Sequence, residues 1–187
     1  MKYYKIRTLD NDGIFPLKTK KFLFKMIKRE YGYGYIPKYH GDIKNLEEVY
    51  LNNKRNSFFI AQDKDENIIG TLAIREYDRE FEQFNNLYCR DSTASIWRAF
   101  VDENYRRLGI ASALVNEAEK FSKNTRYKKI YLHTHKNVDG ALEFWKSLDY
   151  NITLDTDNHL QTVHMEKNIS NVLGNIDSNI KDSIAYI

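Results

Sequence analysis

The sequence predicts a mixed α/β (α+β) domain of six to seven strands and about four helices, on three observations. Short runs rich in β-branched and aromatic residues alternate along the chain with stretches of helical periodicity. Two apolar runs, Phe58-Phe59-Ile60-Ala61 and Ile68 to Arg75, flank the polar turn Asp63-Lys64-Asp65-Glu66-Asn67 and so read as a hairpin. Between Ser95 and Phe121 the chain reads as a strand, a basic loop containing one glycine, and a helix.

Taken in order, Tyr3 to Leu9 is a first strand, ended by the turn residues Asp10-Asn11-Asp12-Gly13. A first helix spans about Leu17 to Glu30 and carries the densest basic run of the chain, Lys18 to Arg29. Phe22, Leu23, Met26 and Ile27 fall on one face and the cations on the other. A solvated outer face accounts for these cations, and attraction of an acidic substrate or another anionic ligand is the alternative. A second helix starts near Asp42 as N-cap, buries Leu46, Val49 and Tyr50, and runs to about Asn53. Between the two lies an aromatic loop, Tyr31 to His40, punctuated by Gly32, Gly34 and Pro37.

After the hairpin, residues 77–92 show no clear period and read as a connection. The central strand, Ser95 to Val101, is closed by Asp102-Glu103-Asn104, and Ile110, Leu114, Ala118 and Phe121 then recur at helical spacing. A strand at 129–135, a helix at 139–148 and strands near 151–154 and 161–167 complete the pattern. Residues 1–167 are expected to form one domain. The extension 168–187, with Ile169, Val172, Leu173, Ile176 and Ile180 spaced among polar residues, reads as a marginal amphipathic helix or a disordered end.

At 187 residues, 42% hydrophobic and 29% charged, the chain is long enough for one substantial core. A net charge of +3 is too small to argue for a nucleic-acid partner. No apolar run approaches a membrane span, and the N-terminal residues lack the hydrophobic centre of a secretion signal, so a cytoplasmic location is expected. The single cysteine, Cys89, rules out an internal disulfide, suits a reducing compartment and reads as a small packing residue. Monomer and homodimer both stay open.

The chemistry concentrates in Tyr105-Arg106-Arg107-Leu108-Gly109-Ile110-Ala111-Ser112. A helix start leaves backbone N–H groups without partners at the positive end of the dipole, a natural site for a diphosphate. Arg106 and Arg107 add charge that does not titrate, Gly109 permits close approach or positive φ, and Ala111 and Ser112 stay small. No Gly-Lys-Ser/Thr ending and no trio of spaced glycines follows, so a P-loop and a dinucleotide fingerprint are both excluded.

Arg-x-x-Gly-x-Ala between such a strand and helix resembles the acyl-CoA pyrophosphate loop of the GNAT superfamily of N-acyltransferases. Ile130-Tyr131-Leu132-His133-Thr134-His135 and then Gly140 to Tyr150 are similar to the family's next strand and helix, and the resemblance covers about residues 57–167. It implies a mixed, mostly antiparallel central sheet and direct transfer of an acyl group, most often acetyl, from acetyl-CoA to an amine acceptor, with no metal. It also implies that the CoA loop comprises Arg106, Arg107, Leu108, Gly109, Ile110, Ala111 and Ser112. The backbone of Phe100 and Val101 would pair with the pantetheine arm, and Trp145 would pack against it.

Departures from the family pattern fall at the acid and base. The family's strand glutamate falls at or near Ser95, so His135, at the strand end, is the candidate general base, with a purely structural role for it and for His133 as the alternative. A metal at this histidine pair lacks a visible third ligand. Phe144-Trp145 stands where a Phe-Tyr pair is common, and an indole N–H donates a hydrogen bond but gives up no proton to a thiolate. Asp149 replaces the family glycine, which predicts an altered turn. Tyr33 and Tyr35 are the candidate acceptor-binding residues, with Tyr31 and Tyr39 assigned to packing. A non-catalytic CoA-binding regulator and a nucleic-acid-binding module built on the basic first helix remain as alternatives.

Overall fold

Seven strands form one sheet in the order β1-β2-β3-β4-β5-β7-β6, all neighbours antiparallel except the parallel pair β4 and β5. The computed structural model describes residues 4–11, 13–79 and 81–170. The strands are β1 (Lys5–Thr8), β2 (Ser57–Gln62), β3 (Ile68–Glu76), β4 (Thr93–Val101), β5 (Lys129–His135), β6 (Asn151–Asp155) and β7 (Thr162–Asn168). The helices are α1 (Phe15–Tyr31), α2 (Pro37–Lys44), α3 (Ile110–Asn124) and α4 (Ala141–Ser147).

Every residue of β2 is buried because both sheet faces are covered, and the period of two sorts its side chains between two cores. Phe58 and Ile60 join Leu23, Ile27, Ile43, Leu46 and Tyr50 under α1 and α2. Phe59 and Ala61 join Ile110, Leu114, Ala118 and Trp145 under α3 and α4. Gly70 sets how closely α3 lies on the sheet: a Cβ there would stand 3.0 Å from Ile110 Cγ2 and 3.3 Å from the Phe100 carbonyl oxygen. A side chain there would press on the start of this helix and on the Phe100 carbonyl, which would have to give by a few tenths of an ångström.

Three sequence expectations are corrected. The second helix begins at Pro37 rather than Asp42, ends at Lys44 and is followed by a π-helical turn, Glu47–Leu51. Pro37 is well suited to a first helical position, and His40 Nδ1 accepts the Ile36 N–H at 2.9 Å, so the predicted aromatic loop shrinks to residues 32–36. Cys89 is exposed rather than packed; its carbonyl oxygen accepts the Thr93 N–H at 2.8 Å in a turn. Asp149 keeps the turn instead of altering it. With φ 64 it takes the left-handed conformation a glycine would, and Tyr150 N–H reaches back to the Trp145 carbonyl at 3.1 Å. The Trp145 and Tyr150 rings meet edge to face at 5.3 Å, the apolar contact that accompanies this kind of helix end.

The connection 77–92 folds over β5 through a short 3₁₀ turn, Glu82–Phe84, and builds a third apolar cluster from Tyr77, Phe84, Tyr88 and Tyr131. At the far end, β7 runs to Asn168, and Ile169 is buried in the main core with its N–H on the Lys128 carbonyl at 2.9 Å. The helical or disordered tail expected beyond it falls mostly on residues 171–187, outside the described residues. None of the described helices is long and apolar enough to cross a membrane.

Candidate active site

The site follows from one event in the sheet: β4 and β5 pair only at Thr93 with Lys129, Ala94 with Ile130 and Ser95 with Tyr131. Beyond Ser95 the strands part, and the β4 edge from Trp97 to Val101 faces a cleft instead of a neighbouring strand. A bulge sharpens the divergence. Thr71 pairs with Phe100 and Ala73 with Trp97, so β4 carries one residue more than β3 across this interval, and Arg98 adopts φ 51.

The cleft consists of two adjoining cavities. One, of about 400 Å³, is walled by Phe100, Val101, Arg106, Arg107, Ala111 and Trp145, with Phe144 and Gly140 from the α4 side. The other, of about 410 Å³, lies between β4 and β5 and is lined by Trp97, Arg98, His133, His135, Tyr31 and Tyr39 among others. Ala99, Phe100, Val101, Arg106, Asp139, Ala141 and Trp145 line both, so the two form one passage.

The end of the cleft at α3 is built by local backbone geometry. Asp102 Oδ1 accepts the Asn104 N–H at 3.2 Å and starts the turn Glu103–Tyr105, after which Arg107 at φ 61 and Gly109 at φ 77 swing the chain into α3. The first intrahelical bond runs from Ala113 N–H to the Gly109 carbonyl at 3.0 Å, which leaves the amides of Ile110, Ala111 and Ser112 without an intrahelical acceptor. Lys25 Nζ holds the Asp102 carboxylate at 2.9 Å, and Arg106 is tied to Glu30 at 2.6 Å, so α1 anchors the loop from outside. Leu108 is exposed, and Arg107 faces the cavity.

At the other end, His135 closes β5 with Nδ1 3.2 Å from Thr162 Oγ1. Burial pushes its pKa down, partly offset by a backbone hydrogen bond at Leu160, so the ring is neutral at pH 7 and able to accept a proton. His133 lies one step deeper on the same face, its ring centroid 5.9 Å from that of His135. Its burial, with Arg79 and the neighbouring histidines, drives its pKa well below the ordinary value. Ser95 is fully buried at the closed base and lines neither cavity.

Residues 21–150 match the acetyltransferase (GNAT) family, well over half of the chain. The chain belongs to that family. Human N-acetyltransferase 8 is 24% identical over 112 residues, 60% of this chain and 46% of that protein, so this GNAT chain spans less than half of that relative's length. A crystal structure of an acetyltransferase of GNAT family from Staphylococcus aureus Mu50 superposes with TM-score 0.69 at 22% identity, covering 88% of this chain and 99% of that one. Arabidopsis thaliana NAA60 in complex with acetyl-CoA gives TM-score 0.64 at 17% identity, covering 89% and 98%. The sheet with its single parallel junction is thus the GNAT fold.

Within this GNAT cleft the structure brings together Phe100, Val101, Arg106, Arg107, Ala111, Trp145 and His135 from three separate sequence stretches. Tyr33 and Tyr35 stand apart from it. Tyr33 stacks on Tyr31 at 5.7 Å and on His40 at 6.0 Å, and Tyr35 meets Phe24 edge to face at 5.7 Å. Tyr31 and Tyr39 line the cleft instead, because Pro37 starts α2 early and turns Tyr39 toward β4. Sequence reasoning also passed over Arg79, Trp97, Arg98 and Asp139. Arginines inside and beside an otherwise apolar strand were the available signal, since a charge there is retained only with a partner or a task.

Proposed function

We propose that this GNAT chain is an N-acetyltransferase that moves an acetyl group from acetyl-CoA directly to an amine. The observation that carries this reading is the unpaired β4 edge, Trp97 to Val101, running from a histidine-bearing cavity to the α3 N-terminus. An extended, amide-rich arm can add to that edge as a strand would, its diphosphate reaching the free amides of Ile110, Ala111 and Ser112 beside Arg107. Phe144 and Trp145 supply the apolar wall opposite.

Acetyl-CoA brings the activated acyl group, and the chain supplies position and proton transfer. His135, neutral and half-buried where the cavities meet the β5 end, takes the proton of the attacking amine. Trp145 cannot protonate the departing thiolate, so the imidazolium formed at His135 returns its proton there. Tyr31 and Tyr39 form the acceptor-side rim, where ring faces contact an alkyl stem. A cytoplasmic location accords with the one exposed cysteine, a thiol best kept in a reducing compartment.

The test is a calorimetric titration with acetyl-CoA. Gly109→Val abolishes binding, because a β-branched residue does not hold φ 77 and the amides behind it lose their alignment. Normal binding by a folded Gly109→Val protein contradicts the CoA assignment. Binding without thiol release across an amine panel makes the chain a CoA-binding regulator instead.

A further inference from the structure

Three guanidinium groups surround the indole of Trp97: Arg75 at 3.7 Å from a ring centroid, Arg79 at 3.8 Å and Arg98 at 5.8 Å. Two of them are neutralised. Arg75 pairs with Asp78 at 3.0 Å, and Arg98 donates from Nε to Asp42 Oδ2 at 2.9 Å and from Nη2 to the Tyr39 carbonyl at 2.6 Å. Arg79 forms no ion pair among the described residues, and its Nε is buried without a hydrogen-bond acceptor.

Two more orphaned groups stand beside it. Trp97 Nε1 and His133 Nδ1 are likewise buried without partners, and all three side chains line the same cavity. Buried polar groups are rarely left unpaired, so three along one wall call for a ligand that accepts hydrogen bonds. Burial also presses the Arg79 pKa below the ordinary arginine value, the Arg75 charge adding to it and nearby Tyr131, Asp78 and Tyr77 offsetting only part of it. The two acids of the cavity do not supply one. Glu30 is committed to Arg106, and Asp139 lies where the two cavities join.

The geometry points to Arg79, with Trp97 and His133, as the binding site for a carboxylate on the acceptor, which makes the acceptor an amino acid or a closely related amine bearing a carboxylate. This rests on the transferase reading above and names the substrate class for the same cleft. A guanidinium presents parallel N–H groups that match the two oxygens of a carboxylate, and the indole N–H and a neutral imidazole N–H add single bonds from the side. With its carboxylate held at the closed base of the cleft, the acceptor directs its amine outward along β5 toward His135. An acceptor without an anionic group leaves the Arg79 charge desolvated and unpaired, so rejection of simple alkylamines is built in.

The experiment compares acetylation of free amino acids with that of their carboxamides and of the corresponding decarboxylated amines, alongside acetyl-CoA affinity. The acids should exceed their amides in kcat/KM by about 10- to 100-fold, the loss expected when a charged hydrogen-bonding group goes unpaired. Arg79→Gln should erase that gap by raising KM for the acids, leaving the amides within about twofold and the acetyl-CoA Kd unchanged; Arg79→Lys, which keeps the charge, should recover part of it. Equal rates for acids and amides, or a uniform loss in a folded Arg79→Gln protein, overturn the proposal. Binding of the same amino acids to the CoA-loaded protein, followed by thermal shift, separates it from the transferase reading. Arg79-dependent binding without turnover upholds the carboxylate site and defeats the transferase, whereas turnover without acid preference defeats the site alone.

Discussion

His135 is the residue on which the proposed proton transfer turns. Burial holds its pKa below 6.5, so it is a ready acceptor at neutral pH and fails only on acidification. His135→Ala should lower kcat by about 10²- to 10⁴-fold with little change in acetyl-CoA affinity, and the acid limb of the rate profile should disappear with it. An unchanged kcat and pH profile would return this side chain to a bond with Thr162. Asp149 carries a lesson at the same scale. A glycine missing from the sequence suggests a changed turn, yet aspartate is among the few residues that accept left-handed backbone, and Asp149 adopts it at φ 64.

Among the elements, α2 and β4 are joined by the most demanding contact of the fold. Asp42 and Arg98 are both nearly buried, at 8% and 12% side-chain exposure, and Tyr50 Oη adds a hydrogen bond to Asp42 Oδ2 at 2.6 Å. Burial works to raise the Asp42 pKa, but the Arg98 bonds and charge outweigh it and hold the carboxyl below its usual value. The pair secures the bulged segment of β4 that borders the cleft. Asp42→Ala strands a desolvated guanidinium and should cost about 3–5 kcal/mol in denaturant unfolding, while Asp42→Leu combined with Arg98→Met should recover most of that loss. A cost under about 1 kcal/mol for the single variant would show that the pair is solvated. In the sequence Asp42 has the residue type of an N-cap and the apolar spacing that follows one, whereas its actual partner lies 56 positions away.

For the molecule as a whole, the connection 77–92 and the strands β5 and β7 enclose histidines that fold in the neutral form. His164 accepts or donates a 2.6 Å bond with Tyr131 Oη and packs against Phe81 and Phe84; burial and the Arg79 charge lower its pKa to about 4, and His133 is pressed down further along the same wall. Because the unfolded chain binds these protons near pH 6.5 and the folded chain does not, their contribution is complete above about pH 6.5 and declines as the pH falls toward about 4. The carboxylates held by cations, such as Asp42 and Asp102, titrate below that window. Thermal denaturation should therefore show stability falling between pH 6.5 and 4, and His164→Gln should flatten part of that slope even as it lowers stability at pH 7.5. A slope that begins only below pH 4 would assign acid sensitivity to the carboxylates.

The sequence by itself determined the alternation of strands and helices, the hairpin between Phe58 and Arg75 and the strand, loop and helix between Ser95 and Phe121, because each rests on local periodicity and turn chemistry. The loop proposed to hold CoA could be picked out for the same reason: Arg106 to Ser112 is contiguous, and a helix start leaves amides that suit an anion. Only the tertiary structure decided that Tyr31 and Tyr39, and not Tyr33 and Tyr35, face the cleft, since that depends on where α2 begins and how it leans on β4. Only it placed Ile169 in the core and Gly70 beneath α3. The assembly of Arg79, Trp97 and His133 was hidden most completely. Those three come from a connection and two strands, and what marks them as a site is a shared lack of partners, a property that exists only once the chain has closed around them.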